Sequence, residues 1–235
     1  MKISLETKNL QELNKSIFSK ISPQKKYRSN PKTVLNRQSI CANLYDWQRI
    51  KHFLELGGSG SNFINYVNSA PKIYLVDIVT PKYSQRNLCY INCDLNDGIP
   101  FKKEIFDAVF AGEIIEHLLD TDKFLEEIYR VLKPKGTLVL TTPNASSFIN
   151  LYKWLKKDQF VHNDYKIDQN GHVRYYSPNA LIDQLKSHGF KIIKVLDTPN
   201  IANIFKNSFI RKTVYCIRRM LFPLRGMHII VQCLK

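Results

Sequence analysis

Apolar residues along the chain gather into short runs, and seven of these have the length and β-former content of strands. They are HFLEL (52–56), IYLVD (73–77), LCYINCD (88–94), FDAVFAG (106–112), GTLVLTT (136–142), KIIKVL (191–196) and HIIVQCL (228–234). Two segments between them keep the helical period instead. TDKFLEEIYRVL (121–132) places Phe124, Leu125, Ile128 and Leu132 on one face, with Thr121 as the expected N-cap. Lys133-Pro134-Lys135-Gly136 is its stop. SPNALIDQLKSHGF (177–190) has Ser177 as N-cap, Pro178 in the first turn and Gly189 as the stop. Shorter helices are expected near 38–50 and 62–69. Strands alternating with helices predict an α/β domain over 38–235 with a doubly wound, mostly parallel sheet. A basic lead-in, 1–37, precedes it, and two stretches, 144–170 and 197–227, read as insertions.

Composition narrows the class. A hydrophobic fraction of 44% and an aromatic fraction of 11% suit a packed globular domain. No run approaches the ~18–20 apolar residues of a membrane span, and the opening MKISLETKNLQELNK has no secretory h-region. Five scattered cysteines form no CxxC pair, which points to a reducing, cytoplasmic setting. The net charge of +15 is concentrated: +7 over residues 1–40, +7 over 201–235, and nearly none between. Basic ends of this kind suit phosphates or an anionic membrane face, although a compositional bias of the source would produce the same totals.

In a doubly wound sheet the ligand lies at the carboxyl ends of the central strands. The first run ends in Glu55-Leu56-Gly57-Gly58-Ser59-Gly60-Ser61, small enough for a ligand to approach the backbone. The second ends at Asp77-Ile78, where a carboxylate can take two ribose hydroxyls. The third ends at Asp94-Leu95, where Asp94 can accept from an adenine amino group, and the fourth at Gly112. A nicotinamide site also places an acid after the second strand, but the turn lacks GxGxxG spacing and an acid precedes its first glycine.

FLELGGSGSNF, FDAVFAGEIIEHLLD, FLEEIYRVLKPKGTLVLTTPN and GHVRYYSPNALIDQLKSHGF together resemble class I S-adenosylmethionine (SAM)-dependent methyltransferases. The similarity is greatest to the ubiquinone-biosynthesis O-methyltransferase type. The resemblance implies a seven-stranded sheet in the order 3-2-1-4-5-7-6. It implies that Glu55 and Gly57 border the methionine end of SAM, Asp77 the ribose, and Asp94 and Leu95 the adenine. The family turn is acid-x-Gly-x-Gly-x-Gly; here Ser59 and Ser61 replace its second and third glycines, and Gly58 and Gly60 fill intervening places. The connection after the second strand is too short for the usual helix.

Candidate chemistry follows the fourth strand. Glu113, Glu116 and His117 have i, i+3, i+4 spacing, which on a helix would put two carboxylates and an imidazole on one face. The acid-x-x-acid-His motif is similar to a divalent-metal site of ubiquinone-type O-methyltransferases and of small-RNA 2′-O-methyltransferases. That resemblance adds His172 as a distal ligand, with Mg, Mn or Zn as the ion. In a metal-free site, His117 is the expected general base, assisted by Glu116. Two plainer roles stay open: the acids complementing a helix N-terminus, and His117 packing without chemistry.

Acceptor recognition is expected from the insertions. Phe148, Tyr152, Trp154, Phe160 and Tyr165 in 144–170 can stack a planar or sugar-like small molecule, or form a helical subcore. Segment 197–227 alternates Ile204, Phe205, Phe209, Val214, Ile217 and Leu221 with Lys206, Arg211, Lys212, Arg218 and Arg219. That pattern suits a lipid-linked acceptor, peripheral to the inner face of a membrane, or docking on the domain itself. The resulting expectation is methyl transfer from SAM to a small-molecule hydroxyl. Nucleic acid is the weaker partner, since no RNA-binding module is recognisable. An RNA 2′-O-methyltransferase and a non-catalytic SAM-binding scaffold are the alternatives.

Overall fold

A computed structural model describes residues 37–61, 63–67, 72–81, 87–157, 171–198 and 224–235. Residues 1–36 of the lead-in, 158–170 of the first insertion and 199–223 of the second therefore lie outside the described residues.

The strands are β1 (His52–Leu56), β2 (Lys72–Asp77), β3 (Leu88–Asn92), β4 (Phe106–Gly112), β5 (Leu132–Pro143), β6 (Lys191–Asp197) and β7 (His228–Leu234). The helices are α1 (Arg37–Ala42), α2 (Thr121–Val131), α3 (Phe148–Lys157) and α4 (Pro178–Ser187). One seven-stranded sheet has the order β3-β2-β1-β4-β5-β7-β6, as the resemblance implied. The strands from β3 to β5 run parallel, while β7 pairs antiparallel with both β5 and β6.

The central strands are apolar on both faces because both are covered. On one side Leu54, Leu56, Val109, Ala111, Leu138 and Leu140 pack with Phe124, Leu125 and Ile128 of α2 and Leu181 and Leu185 of α4. On the other, Phe53, Ile73, Ala108, Phe110, Val139 and Ile230 pack with Cys41, Ala42, Tyr45, Phe63 and Ile64. The two sets alternate along each strand, as the two-residue period of a pleat requires. Phe63 stacks on Phe110 with ring centroids 3.8 Å apart. Each such fully buried phenyl group stabilises the fold by about 1.5–3 kcal/mol over its exposed state. The edge strands β3 and β6 are only partly buried.

Several local expectations change. The N-cap of α2 is Asp120, not Thr121: the Asp120 carboxylate accepts from Lys123 N at 2.9 Å. Thr121 is instead the first helical residue, buried, and its hydroxyl accepts from Gln184 Nε2 of α4. Ser177 does cap α4, accepting from Ala180 N, and Gly189 beyond its end has φ +86°. The helix expected near 38–50 breaks after Ala42, whose carbonyl accepts from Trp47 Nε1. Tyr45 is drawn inward, donating to Val109 O at 2.6 Å, and only a single 3-10 turn, Trp47–Arg49, follows. The helix expected near 62–69 is a 3-10 turn, Phe63–Tyr66. β3 stops at Asn92 rather than 94, because Asp94 Oδ1 accepts from Asn96 N and Nδ2 and turns the chain. Arg37 belongs to the domain as the first residue of α1. No helix among the described residues is long and apolar enough to cross a membrane.

Candidate active site

The parallel strands β1 to β4 deliver their carboxyl ends to one edge of the sheet, and the expected cofactor residues meet there. Gly57 leaves β1 at φ +73°, donating to Val76 O at 2.9 Å. A side chain there would be strained and would meet Ile114 Cδ1 at 2.8 Å. A Cβ on Gly58 would lie 2.4 Å from the carboxyl carbon of Glu55, whereas one on Gly60 would meet nothing within 4 Å. The turn is therefore closed toward Glu55 and open at Gly60.

Glu55 is 1% exposed. Burial, opposed by the Ser61 hydroxyl and reinforced by the Asp77 charge, pushes its carboxyl up to about 7. Ser61 Oγ donates to Glu55 Oε1, while Oε2 has no hydrogen-bond partner among the described residues. Asp77 accepts Ser59 N on Oδ2 at 2.9 Å and Val79 N on Oδ1 at 2.8 Å. Ile78 turns its carbonyl to Asn92 Nδ2. Leu95 is buried behind Asp94. Gly112 ends β4 where a Cβ would lie 2.6 Å from Phe110 Cζ.

Beyond β4 the geometry departs from the expected helical face. Ile115–His117 is one 3-10 turn, and Glu113 precedes it at φ +55°. Its carboxylate accepts from Thr141 Oγ1 at 2.9 Å, pairs with Arg37 Nη1 at 2.8 Å and lies 3.5 Å from His228 Nε2. Glu113 thus faces α1 and β7. Glu116, His117 and His172 form a group of their own, with one ligand atom from each lying within 4.8 Å of the others. Glu113 is not in that group.

Glu116 is 1% exposed; one oxygen accepts from Thr142 Oγ1 at 3.0 Å and the other has no hydrogen-bond partner among the described residues. Burial, with the Glu113 charge added, holds its carboxyl well above the ordinary range. His117 Nδ1 lies 3.0 Å from Gly171 O. A carbonyl can only accept, so this contact places the proton of the neutral ring on Nδ1 and the lone pair on Nε2. Burial lowers the affinity of that ring for a second proton. The His172 ring lies 4.7 Å from that of His117 at 64°. The segment carrying it is fastened by Val173 N and Arg174 N, both donating to Glu116 O. Arg174 reaches Leu119 O through its guanidinium.

A carboxylate oxygen and two imidazoles are a donor set for a borderline ion such as Zn or Mn rather than Mg. The bond from His117 to a backbone carbonyl is the kind that orients a ligating histidine. The buried, unsatisfied Glu116 oxygen fits the same group.

Sequence patterns did not reveal Arg37, Thr141, Thr142 and His228. His228 is the first residue of an ordinary strand, and Arg37 resembles every other basic residue of the lead-in. Only the topology brings Arg37, Thr141 and His228 to Glu113, and Thr142 to Glu116. His228 is fixed on its other side by Thr198 Oγ1, 2.8 Å from Nδ1.

A sheet in this order, with a small-residue turn after β1 and an acid closing β2, defines the class I fold of SAM-dependent methyltransferases. Residues 8–195 match a family model described as a methyltransferase domain, and the chain belongs to that family. It is 31% identical over 123 residues to the ubiquinone/menaquinone biosynthesis C-methyltransferase UbiE of Wigglesworthia glossinidia brevipalpis, covering 50% of this chain and 47% of that one. It is 29% identical over 109 residues to the mitochondrial ubiquinone biosynthesis O-methyltransferase of Bos taurus, covering 46% of this chain and 29% of that one. The match thus spans about half the length of the first relative and less than a third of the second. A solved structure of Burkholderia thailandensis 1,6-didemethyltoxoflavin-N1-methyltransferase, with 1,6-didemethyltoxoflavin and S-adenosylhomocysteine bound, has a TM-score of 0.64 at 12% identity. It covers 97% of this chain and 89% of that one.

Proposed function

We propose that this SAM-dependent methyltransferase methylates a hydroxyl oxygen of a small-molecule acceptor beside Glu116, His117 and His172. The observation that carries the reading is the convergence of a buried carboxylate and two imidazoles at the sheet edge that also holds the cofactor residues. The chain is similar to relatives named for C- and for O-methylation, and an acid–imidazole group favours an acceptor that must lose a proton.

SAM supplies an electrophilic methyl group. The residues around it have separable tasks. Asp77 takes the ribose hydroxyls on the carboxylate lone pairs left beside its two backbone bonds, and Asp94 with Leu95 borders the adenine. The acceptor oxygen forms its bond to the methyl carbon as the carbon–sulfur bond breaks, giving a methyl ether and S-adenosylhomocysteine. His117 Nε2 accepts the hydroxyl proton, with Nδ1 held by Gly171 O and the Glu116 carboxyl beside it. In-line placement of the acceptor contributes much of the acceleration. In the alternative arrangement Glu116, His117 and His172 would hold a divalent ion, with His117 Nε2 a ligand rather than the base; that ion would supply Lewis acidity toward the acceptor oxygen.

Segment 197–227 is read as the surface for a lipid-linked acceptor, with the protein working at the cytoplasmic face of a membrane. Its basic-apolar alternation supports that reading. Most of the segment lies outside the described residues.

The test pairs elemental analysis of the purified protein with kinetics of His117→Ala on a catechol-type acceptor. The expected result is a kcat lower by about 10²–10⁴ with SAM affinity unchanged, the range of a lost acid–base group. Unchanged kcat in His117→Ala would sink the role given to that residue. Absence of stoichiometric Zn, Mn or Mg would leave His117 as base and remove the metal.

A further inference from the structure

Two serines stand where the family turn carries glycines, and each makes a bond that glycine cannot make. Ser61 Oγ donates to Glu55 Oε1 and also accepts from Phe63 N at 3.1 Å, linking the acid at the end of β1 to the next 3-10 turn. Ser59 Oγ donates to Val79 O, while Ser59 N donates to Asp77 Oδ2. Val79 N returns to Asp77 Oδ1. The turn after β1 and the connection after β2 are thereby laced together around Asp77.

That lacing has a reason in the topology. Only ten residues separate β2 from β3, and residues 78–81 and 87 are not helical. The helix that ordinarily backs the ribose side of such a site is replaced at its start by bonds from the serine turn. Both Asp77 oxygens are already oriented by backbone N–H groups from different elements. A carboxylate has about four acceptor positions, so two remain for a diol.

Resting on the reading of Glu55 and Asp77 as cofactor residues, we infer that Ser59 and Ser61 are positioning residues. The Ser61 hydroxyl holds the Glu55 carboxylate directly, and the Ser59 hydroxyl holds the Val79 carbonyl of the connection whose Val79 N orients Asp77, so restoring the family glycines weakens SAM binding rather than improving it. Glu55 faces one other acid, Asp77, and the phenol of Tyr45. Removing its one hydroxyl donor therefore makes the charged form of Glu55 harder to maintain.

The experiment is a calorimetric titration of SAM into the full chain and into Ser61→Gly, Ser61→Ala, Ser59→Gly and Ser59→Ala, repeated from pH 6 to pH 8.5. Losing a hydrogen bond to a charged group predicts affinity lower by about tenfold or more for both Ser61 variants, glycine and alanine alike. The pH midpoint of binding should rise in the Ser61 pair and stay in place in the Ser59 pair, where the loss is smaller. Glycine variants that bind SAM as tightly as wild type, with the same midpoint, would overturn the role of the serines alone. Failure of the wild-type chain to bind SAM would overturn that role together with the cofactor reading beneath it.

Discussion

The two halves of the catalytic edge treat their carboxylates in opposite ways. Over β2 and β3, Asp77 and Asp94 accept from neutral N–H donors that fix their orientation, while Glu55 of β1, buried with one oxygen unsatisfied among the described residues, stands at the border. Over β4, β5 and β7, charge meets charge. Glu113 is matched by Arg37 beside His228, while Glu116 is buried with one oxygen unsatisfied. The first half is preformed for a ligand of fixed shape, whose hydroxyls can complete existing bonds. The second half stores an unmet electrostatic demand, which a cation or a proton in transfer would satisfy. On the proposed reading, that difference mirrors the constancy of a cofactor and the variability of acceptors.

The contrast can be broken at several points. The largest effect on the cofactor half should come from Asp77→Ala. On the reading of Asp77 as the ribose residue, two charge-assisted hydrogen bonds, each worth about 1.5–3 kcal/mol, are lost together, so SAM affinity should fall by at least about 10²-fold in a calorimetric titration. Wild-type affinity in that variant would mean that the ribose is held elsewhere.

Glu55 tests the border between the halves through pH. Its folded carboxyl titrates at about 7 against 4.5 for the ordinary group. The folded state therefore binds the extra proton between those values. Its stabilisation is complete below pH 4.5 and is lost as pH rises through 7, about 3 kcal/mol in all. Denaturant unfolding of the SAM-free protein should show that decline, and Glu55→Gln should remove it. A pH profile shared by wild type and Glu55→Gln would place the ionised carboxylate in a more polar setting than the structure gives it.

The smallest effect belongs to Arg37→Ala. Both members of the Arg37–Glu113 pair are partly exposed, so screening limits the loss to about 1 kcal/mol of folding stability. A melting-temperature drop of a few degrees should accompany it. A much larger drop would indicate that α1 depends on this pair rather than on its apolar face.

How much of this was legible in the sequence depended on the range of the physics involved. β1, β4 and β7 keep the expected boundaries, because a fully covered strand is a continuous apolar run with polar ends. The acid at the end of β2 and the small-residue turn after β1 were equally local signals. The N-cap of α2 was misplaced by one residue because Thr121 and Asp120 are both good caps, and only the distant Gln184 claims the threonine hydroxyl. Glu113 was placed on a helical face by its spacing. Its actual direction is set by Arg37, Thr141 and His228, which no local pattern connects. The bonds made by Ser59 and Ser61 were also hidden, since a small side chain reads as permissive until its hydroxyl partner is visible.

The antiparallel β7 sets the timetable by which the chain can be finished. It lies between β5 and β6, although β6 precedes it in sequence. A ribosome therefore releases β6 before the strand with which it pairs, and the β5 edge, made earlier still, stays open for longer. During synthesis at about 5–20 residues per second, a sticky apolar edge is exposed for seconds before β7 inserts. Slower growth or added chaperone should consequently raise the yield of folded protein.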